Sequence, residues 1–399
     1  MIVVGGGAAG FFCAINYAEK NPGKKILILE AGAEPLAKVR ISGGGRCNLT
    51  HACWDPSELI LNYPRGSREL LGPFHKFGPA DTVRWFEDRG VPLKVEEDGR
   101  MFPASNRSQS IVDCFMQQLA MHRIQLKTRC RAHSFAWDEP HQTWTIQTDQ
   151  NNFSAGVLFL AAGSDNRIWK FLKEMGHAVV EPVPSLFSFN IPDEELKKLM
   201  GLSVRAAALE VKECGLAAEG PLLITHWGLS GPAVLRLSAW GARILFERQY
   251  KFRLEINWTN LSGEEVRTSL TRYKSLHGDR IVHRHPLFEI PSRLWIYLMN
   301  KSNIPPELKW SVLQKLQLEK MIQTLCGQEL EVSGKTRFKE EFVTAGGIAL
   351  DEVDMRRFKS RKLPNLYFAG EILDIDGITG GFNFQAAWTG AWLAAMDME

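Results

Sequence analysis

The feature that most constrains this chain is its first ten residues. Ile2-Val3-Val4 is an apolar run of the length of one buried strand, and Gly5-Gly6-Gly7-Ala8-Ala9-Gly10 follows it as G-x-G-x-x-G, opening a helix-like stretch from Ala8 to Lys20. The first glycine permits a tight turn, Gly7 lets backbone approach a pyrophosphate, and Gly10 lets helix and strand pack closely. The start of the helix then offers its N–H groups and positive dipole end to negative charge. After the turn Asn21-Pro22-Gly23, a second strand from Ile26 to Glu30 ends in a carboxylate twenty residues beyond Gly10. An acid there accepts hydrogen bonds from an adenosine ribose and repels a 2′-phosphate. The motif predicts a dinucleotide site and leaves FAD and NAD as alternatives.

Further along, residues 33 to 110 are rich in Gly, Pro and Arg with little period and read as an excursion from the sheet. Ile111 to Met121 reads as a helix, Thr128 to Trp137 and Thr143 to Thr148 as a meander, and Gly156 to Ala162 as a buried strand ending at Gly163. From about 186 to 255 short alternating segments such as Lys251–Ile256 have the period of half-buried antiparallel strands. Residues 263 to about 325 read as helical, broken at Pro286, Pro291 and Pro305-Pro306.

The chain then returns from Phe342 through Gly346-Gly347 to a buried strand, Leu366 to Ala369. That strand ends in Gly370-Glu371 and is followed by Asp374, Asp376-Gly377, Gly380-Gly381 and a last helix from about Phe384 to Met396. A second glycine-and-acid anchor so far from the first favours the longer cofactor, FAD. Gly370 allows close approach, an acid at 371 or 374 meets the ribityl or pyrophosphate region, and the helix after Gly381 directs its positive end at the isoalloxazine. There is no second G-x-G-x-x-G, so NAD(P)H is expected only as a transient co-substrate.

On these residues the chain resembles the bacterial NAD(P)/FAD-dependent oxidoreductase family that includes aminoacetone oxidases and a bile-acid pathway reductase. The segments that carry the resemblance are Ile41-Ser42-Gly43-Gly44-Gly45-Arg46-Cys47-Asn48, Gly99-Arg100-Met101-Phe102-Pro103, Thr225 to Pro232, Val343 to Gly347, and Gly370-Glu371 through Gln385. The resemblance implies an α/β architecture with a Rossmann-like FAD-binding domain built from both chain ends (1–187 and 336–399). It also implies an inserted β-barrel domain (188–258 and 326–335) and a small helical insert domain (259–325). It places Gly43 to Asn48 along the flavin, with Lys38 and Arg46 as cations near phosphate or ring. The cofactor-binding set expected is Gly5, Gly7, Ala8, Ala9, Gly10, Glu30, Ala31, Lys38, Gly44, Gly45, Arg46, Cys47, Asn48, Ala132, Ala162, Gly163, Gly370, Glu371, Asp374, Gly380, Gly381, Phe382, Asn383 and Gln385. No catalytic acid or base is assigned. The sequence departs from the family in Asp354–Ser360 and in Ala394-Ala395.

The expected activity is that of an FAD-dependent oxidoreductase moving a hydride or electron pair between flavin and a small organic substrate seated between the FAD domain and the inserts. NAD(P)H or oxygen would complete the cycle. The competing reading is a flavin-binding module that senses redox state or serves a protein or tRNA partner. With 48 basic against 45 acidic residues, charge balance alone argues for neither nucleic acid nor membrane as partner. The seven cysteines have no Cys-x-x-Cys or metal spacing, so reduced thiols, no metal and a cytoplasmic location are expected. Oligomeric state is left open. Cys47 reads mainly as packing, His226 equally as proton donor or as anchor, and His283-Arg284-His285 as a solvated basic run.

Overall fold

Four apolar triplets form the middle of the parallel sheet on which the first unit is built. The computed structural model describes residues 1–336 and 343–399. Phe342, where the return segment was expected to begin, lies in 337–342, outside the described residues. Contacts divide the chain into two units, Met1–Val183 with Val343–Glu399, and Pro184–Phe342.

In the first unit, β1 (Ile2–Val4) leads through α1 (Ala8–Lys20) to β2 (Leu27–Leu29). After α2 (Ala37–Gly45) and β3 (Thr50–His51), helix α3 (Gln109–Met121) leads to β4 (Gln125–Lys127). A three-stranded meander then precedes β5 (Leu158–Leu160), and the chain returns in β6 (Leu366–Phe368) and α4 (Phe382–Asp397). The parallel order is β4-β2-β1-β5-β6, with Val3 beside Ile28 on one side and Phe159 on the other. Continuous rather than alternating apolar runs fit strands covered on both faces, and the β1, β5 and β6 residues are all buried. From β1 the chain goes first to one side and later to the other. The resulting switch point lies at the carboxyl ends of β1 and β5, where open α/β sheets bind ligands.

Helices α1 and α4, from opposite ends of the chain, cover this sheet through an aromatic core. Phe12 of α1 packs 5.1 Å from Trp388 of α4, and Trp388 also meets Phe86 and Phe115, each at 5.8 Å between ring centroids. Such ring pairs add roughly 0.5–1.5 kcal/mol each beyond their area burial.

Residues 33–110 hold more order than their composition announced: helices Ser67–Phe74 and Pro79–Glu87, besides α2. The second starts with Pro79 at its first turn, while Asp81 accepts from Gly78 N at 2.9 Å. Each spans too few residues for a hydrophobic period to register. The meander starts at Ala132 rather than Thr128, since Arg129 adopts a left-handed φ of 52°.

The second unit contains an antiparallel sheet of seven strands. Its edge strands are Gln328–Val332 and Gly334–Lys335, and only Ser333 separates them in the chain. A sheet whose opposite edges are one residue apart must curl back on itself, the closure of a barrel. Within the stretch read as strands lie helices Pro232–Trp240 and Ala242–Glu247, the first announced by proline at its first position. The helices Gly263–Leu276, Ser292–Lys301 and Lys315–Gly327 share one core with the sheet: Leu254, Ile256 and Trp258 cluster with Leu270, Trp295 and Trp310.

Candidate functional site

The turn after β1 is shaped by what its glycines exclude. A Cβ on Gly5, whose φ is +110°, would lie 2.2 Å from Ala161 O and 2.9 Å from Ala162 N, and a Cβ on Gly10 would lie 2.0 Å from Gly5 O. Gly7 is different: its Cβ would meet nothing within 4 Å. The space beside Gly7 is therefore open, and it faces a helix start with no side-chain cap and no acid in its first turn. The N–H groups of Ala8 and Ala9 belong to that turn. This is the arrangement that receives a pyrophosphate.

Glu30 straddles two turns. Its Oε2 accepts from Gly6 N at 2.7 Å and its Oε1 from Gly32 N at 2.5 Å, around Ala31. Each carboxylate oxygen keeps a further lone pair for a ribose hydroxyl. Cys130 N donates to Glu30 O at 2.8 Å, and Ala132 begins its strand two residues later, paired with Thr148.

At the carboxyl ends of β5 and β6 the structure brings Gly163, Gly370, Glu371 and Lys38 together. Gly163 has a φ of +61° and its Cβ would be 3.7 Å from Glu371 Oε2, while a Cβ on Gly370 would be 3.5 Å from the Ala9 methyl. Lys38, on α2, forms an ion pair with Glu371. With the Lys38 side chain 55% exposed, the pair contributes little to stability. Its consequence is local: the ammonium offsets a carboxylate that would otherwise repel an incoming phosphate. Asp374 lies three residues on, its N–H donating to Ile348 O at 3.1 Å.

The glycine loop departs from helix geometry within α2. Gly43, Gly44 and Gly45 have φ of 58°, 69° and 80°, and Cys47 follows at 62°. Gly44 is open on its Cβ side, whereas a Cβ on Gly43 would lie 2.9 Å from Asn48 N. Arg46 sits 3.9 Å above the Phe102 ring and donates to Glu96 Oε1 at 2.5 Å, so the guanidinium is held in place from two directions. Cys47 is fully buried, and burial pushes its thiol up to about 12, against a weaker opposing hydrogen bond to Ser42. A neutral buried thiol is a packing group, not a nucleophile.

The loop meets the start of α4. With its amide oriented to satisfy its neighbours, Asn48 accepts from Gly381 N and donates to Thr50 O, both at 3.1 Å. Gly380 and Gly381 have φ of +135° and +93°, and a Cβ on Gly381 would lie 2.5 Å from Thr50 O. The Phe382 ring stacks on His51 at 4.8 Å and its carbonyl accepts from Tyr63 Oη at 2.7 Å. Asn383 brackets Gly377, accepting from its N and donating to its O, both at 2.9 Å. Gln385, wholly buried, accepts from Thr50 and Thr82 hydroxyls at 2.6 and 2.9 Å and donates to Thr389 at 3.1 Å. Helix α4, like α1, begins with glycine as its cap, with no side-chain cap and no acid in its first turn.

All the expected cofactor residues thus lie in the first unit, around the carboxyl ends of β1, β5 and β6 and the two uncapped helix starts. Ala132 is the outlier, set in the meander. Sequence reasoning left out Thr50, Thr82, His51, Tyr63 and the Arg65–Asp376 ion pair, whose carboxylate is fully buried. A lone Arg 311 positions from its partner gives no local signal. His51 donates through Nε2 to Asp98 O at 3.0 Å, and burial, the largest influence, lowers its pKa. His226 lies in the second unit, exposed at a hairpin tip with its ring against Trp227. The donor set fits a long pyrophosphate-bearing cofactor: an open glycine face, a ribose carboxylate, a neutralised acid and a second helix start.

Comparison with known proteins gives the following. The family model of the HI0933-like protein Rossmann domain matches residues 1–397. A ribosomal RNA dihydrouridine synthase of Escherichia coli is 28% identical over 100% of this chain and 97% of its own length. A 3-dehydro-bile acid delta(4,6)-reductase of Clostridium scindens is 27% identical over 98% and 97%. Among solved structures, a 3-ketosteroid-delta4-(5alpha)-dehydrogenase from Rhodococcus jostii aligns with TM-score 0.53 at 12% identity, covering 99% of this chain and 96% of that one. A flavocytochrome c3 fumarate reductase in its open conformation aligns at 0.50 and 14%, covering 99% and 77%. These two likenesses show the fold.

Proposed function

We propose that this chain, which belongs to the HI0933-like Rossmann domain family and is an FAD-dependent oxidoreductase, reduces a carbon–carbon double bond conjugated to a carbonyl in a small organic substrate. The observation that carries the flavin part is the convergence, from opposite chain ends, of two helix starts that lack both side-chain caps and acids. The bond class is supported by the two full-length relatives. One is named for reducing the delta(4,6) bonds of a 3-dehydro bile acid and the other for making dihydrouridine, whose parent base has a double bond conjugated to a carbonyl.

FAD, when bound, supplies a ring position that accepts and returns a hydride. The chain's own residues do the rest. The N–H groups after Gly7 bind the pyrophosphate, Glu30 orients the adenosine ribose, and Lys38 keeps Glu371 from repelling phosphate. Gly44, Gly45 and the fixed Arg46 present backbone donors and one positive charge along the ring. The first turn of α4, from Gly381 to Asn383, would turn its positive end toward the flavin. NAD(P)H enters transiently as electron donor, since only one G-x-G-x-x-G is present. A second reading, favoured by the dihydrouridine synthase relatives, puts the same double bond in a uracil of RNA.

The test is anaerobic. The purified holoprotein is bleached with NADPH or NADH, and an α,β-unsaturated ketone, its saturated analogue or a uracil-containing RNA is then added while flavin absorbance is followed. Recovery of colour with the enone but not the saturated ketone supports the proposal. Recovery with RNA alone moves the assignment to the second reading. A flavin that neither compound reoxidises, but air does, contradicts both.

A further inference from the structure

The near-neutral charge of the whole chain conceals a local excess. Residues 184–342 carry 22 Lys and Arg against 18 Asp and Glu, while the remainder carries 26 against 27. Within 272–285 the imbalance is sharper: Arg272, Lys274, Arg280 and Arg284, with His277, His283 and His285, stand against Asp279 alone. We propose that this segment is a docking patch for the phosphodiester backbone of single-stranded RNA. The proposal stands apart from the reduction chemistry above, because binding is measured without turnover.

The fold turns this segment back on itself. The helix Gly263–Leu276 ends at His277, and the chain turns back so that Ser311 N donates to Gly278 O at 2.8 Å and Trp310 N to Arg280 O at 2.9 Å. A bridge between Ile281 and Lys309 adds another cation to the same edge. His283 turns inward onto Asn300 at 3.1 Å, leaving Arg284 and His285 on the outside. Arg280 donates to Tyr273 Oη at 3.1 Å, and Tyr273 packs 4.5 Å from the His277 ring and 5.1 Å from Trp310. The result is two half-exposed rings, Tyr273 and His277, backed by the buried Trp310 and edged by Arg280.

What distinguishes this patch from an ordinary solvated face is the lack of compensation. One turn earlier, Arg267 is paired with both Glu264 and Glu319, and within the patch Arg284 has Glu307. Among the described residues Arg272 and Arg280 form no ion pair. Burial and then Arg280, His277 and Arg284 push the His285 pKa down. Arg272 and Arg280, cations with no carboxylate partner, favour an anion, and the half-exposed rings of Tyr273 and His277 offer surface on which bases stack. An acidic peptide would satisfy the charge and leave the rings unused.

The experiment uses the holoprotein and a fluorescent single-stranded RNA of roughly 12 nucleotides, within the range such sites cover, with anisotropy read over a series of salt concentrations. Arg272→Glu with Arg280→Glu should weaken binding at least about tenfold and flatten the log K against log salt slope by roughly 0.7 per cation lost. Double reversal at the exposed Lys24 and Lys170 changes net charge equally and should leave affinity within about threefold. Retained flavin absorbance reports folding, and Arg272→Gln with Arg280→Gln serves if the reversal does not fold. Unchanged affinity in both patch variants, equal loss in both double reversals, or displacement of RNA by an equal charge of polyglutamate would each overturn the proposal.

Discussion

Helices α1 and α4 begin alike and are held differently. Both start after a glycine, with no side-chain cap and no acid in the first turn. At α1 everything that shapes the start is local or next door in the sheet: Gly5 against Ala161, Gly10 against Gly5, Glu30 on Gly6. At α4 the start is fixed by side chains from far up the chain, Asn48 on Gly381 and Thr50 and Thr82 on Gln385. One helix start is thus set by backbone packing and the other by a buried hydrogen-bond network. Both leave their first N–H groups for a ligand.

That contrast can be broken first at its glycines. Gly10→Val, whose Cβ would sit 2.0 Å from a carbonyl oxygen, should cost about 3 kcal/mol or more and yield protein without flavin. Thermal melts and the flavin-to-protein ratio check it. At the other helix, Gln385→Ala should cost about 2 kcal/mol by leaving two buried threonine hydroxyls without their acceptor. If that substitution proves neutral in a denaturant titration, the network does not hold α4.

Gly7→Ala sharpens the comparison, because no protein atom lies within 4 Å of the new methyl. Stability should stay as it is, while FAD affinity falls about tenfold, equivalent to 1.4 kcal/mol. Equal losses of stability and affinity would mean that the open face is not the pyrophosphate seat.

The smallest effect is expected at Cys47. With its thiol raised from an ordinary value near 9 to about 12, the neutral form is the one the fold holds. Its contribution to stability is fully present below pH 9 and is lost as pH rises toward 12. At neutral pH, Cys47→Ser should leave turnover unchanged, and mass spectrometry should find Cys47 unalkylated in folded protein. Rapid alkylation would contradict the buried placement.

The same contrast explains what could be read from the amino-acid sequence. Strand, turn, helix and Glu30 at the first site fall within thirty residues and have one spacing, so they were legible. The Thr50–Gln385 and Arg65–Asp376 contacts join residues 335 and 311 apart, and no local pattern announces such a meeting. Helices Ser67–Phe74 and Pro79–Glu87 escaped for another reason: two turns are too few to show a period, and only Gly78-Pro79 marked a start. Of the charge excess at 272–285 only His283-Arg284-His285 was legible as a run, and the absence of ion pairs at Arg272 and Arg280 among the described residues required the fold.

The central claim is that a single FAD is gripped by both ends of the chain. Titrating deflavinated protein with FAD and, separately, with FMN tests it most directly, because FMN lacks the adenylate that the Gly7 turn and Glu30 would hold. The account predicts one FAD per chain and an FMN affinity at least about 100-fold weaker, near 2.7 kcal/mol. Equal affinity for the two flavins, or no binding of either, would contradict it.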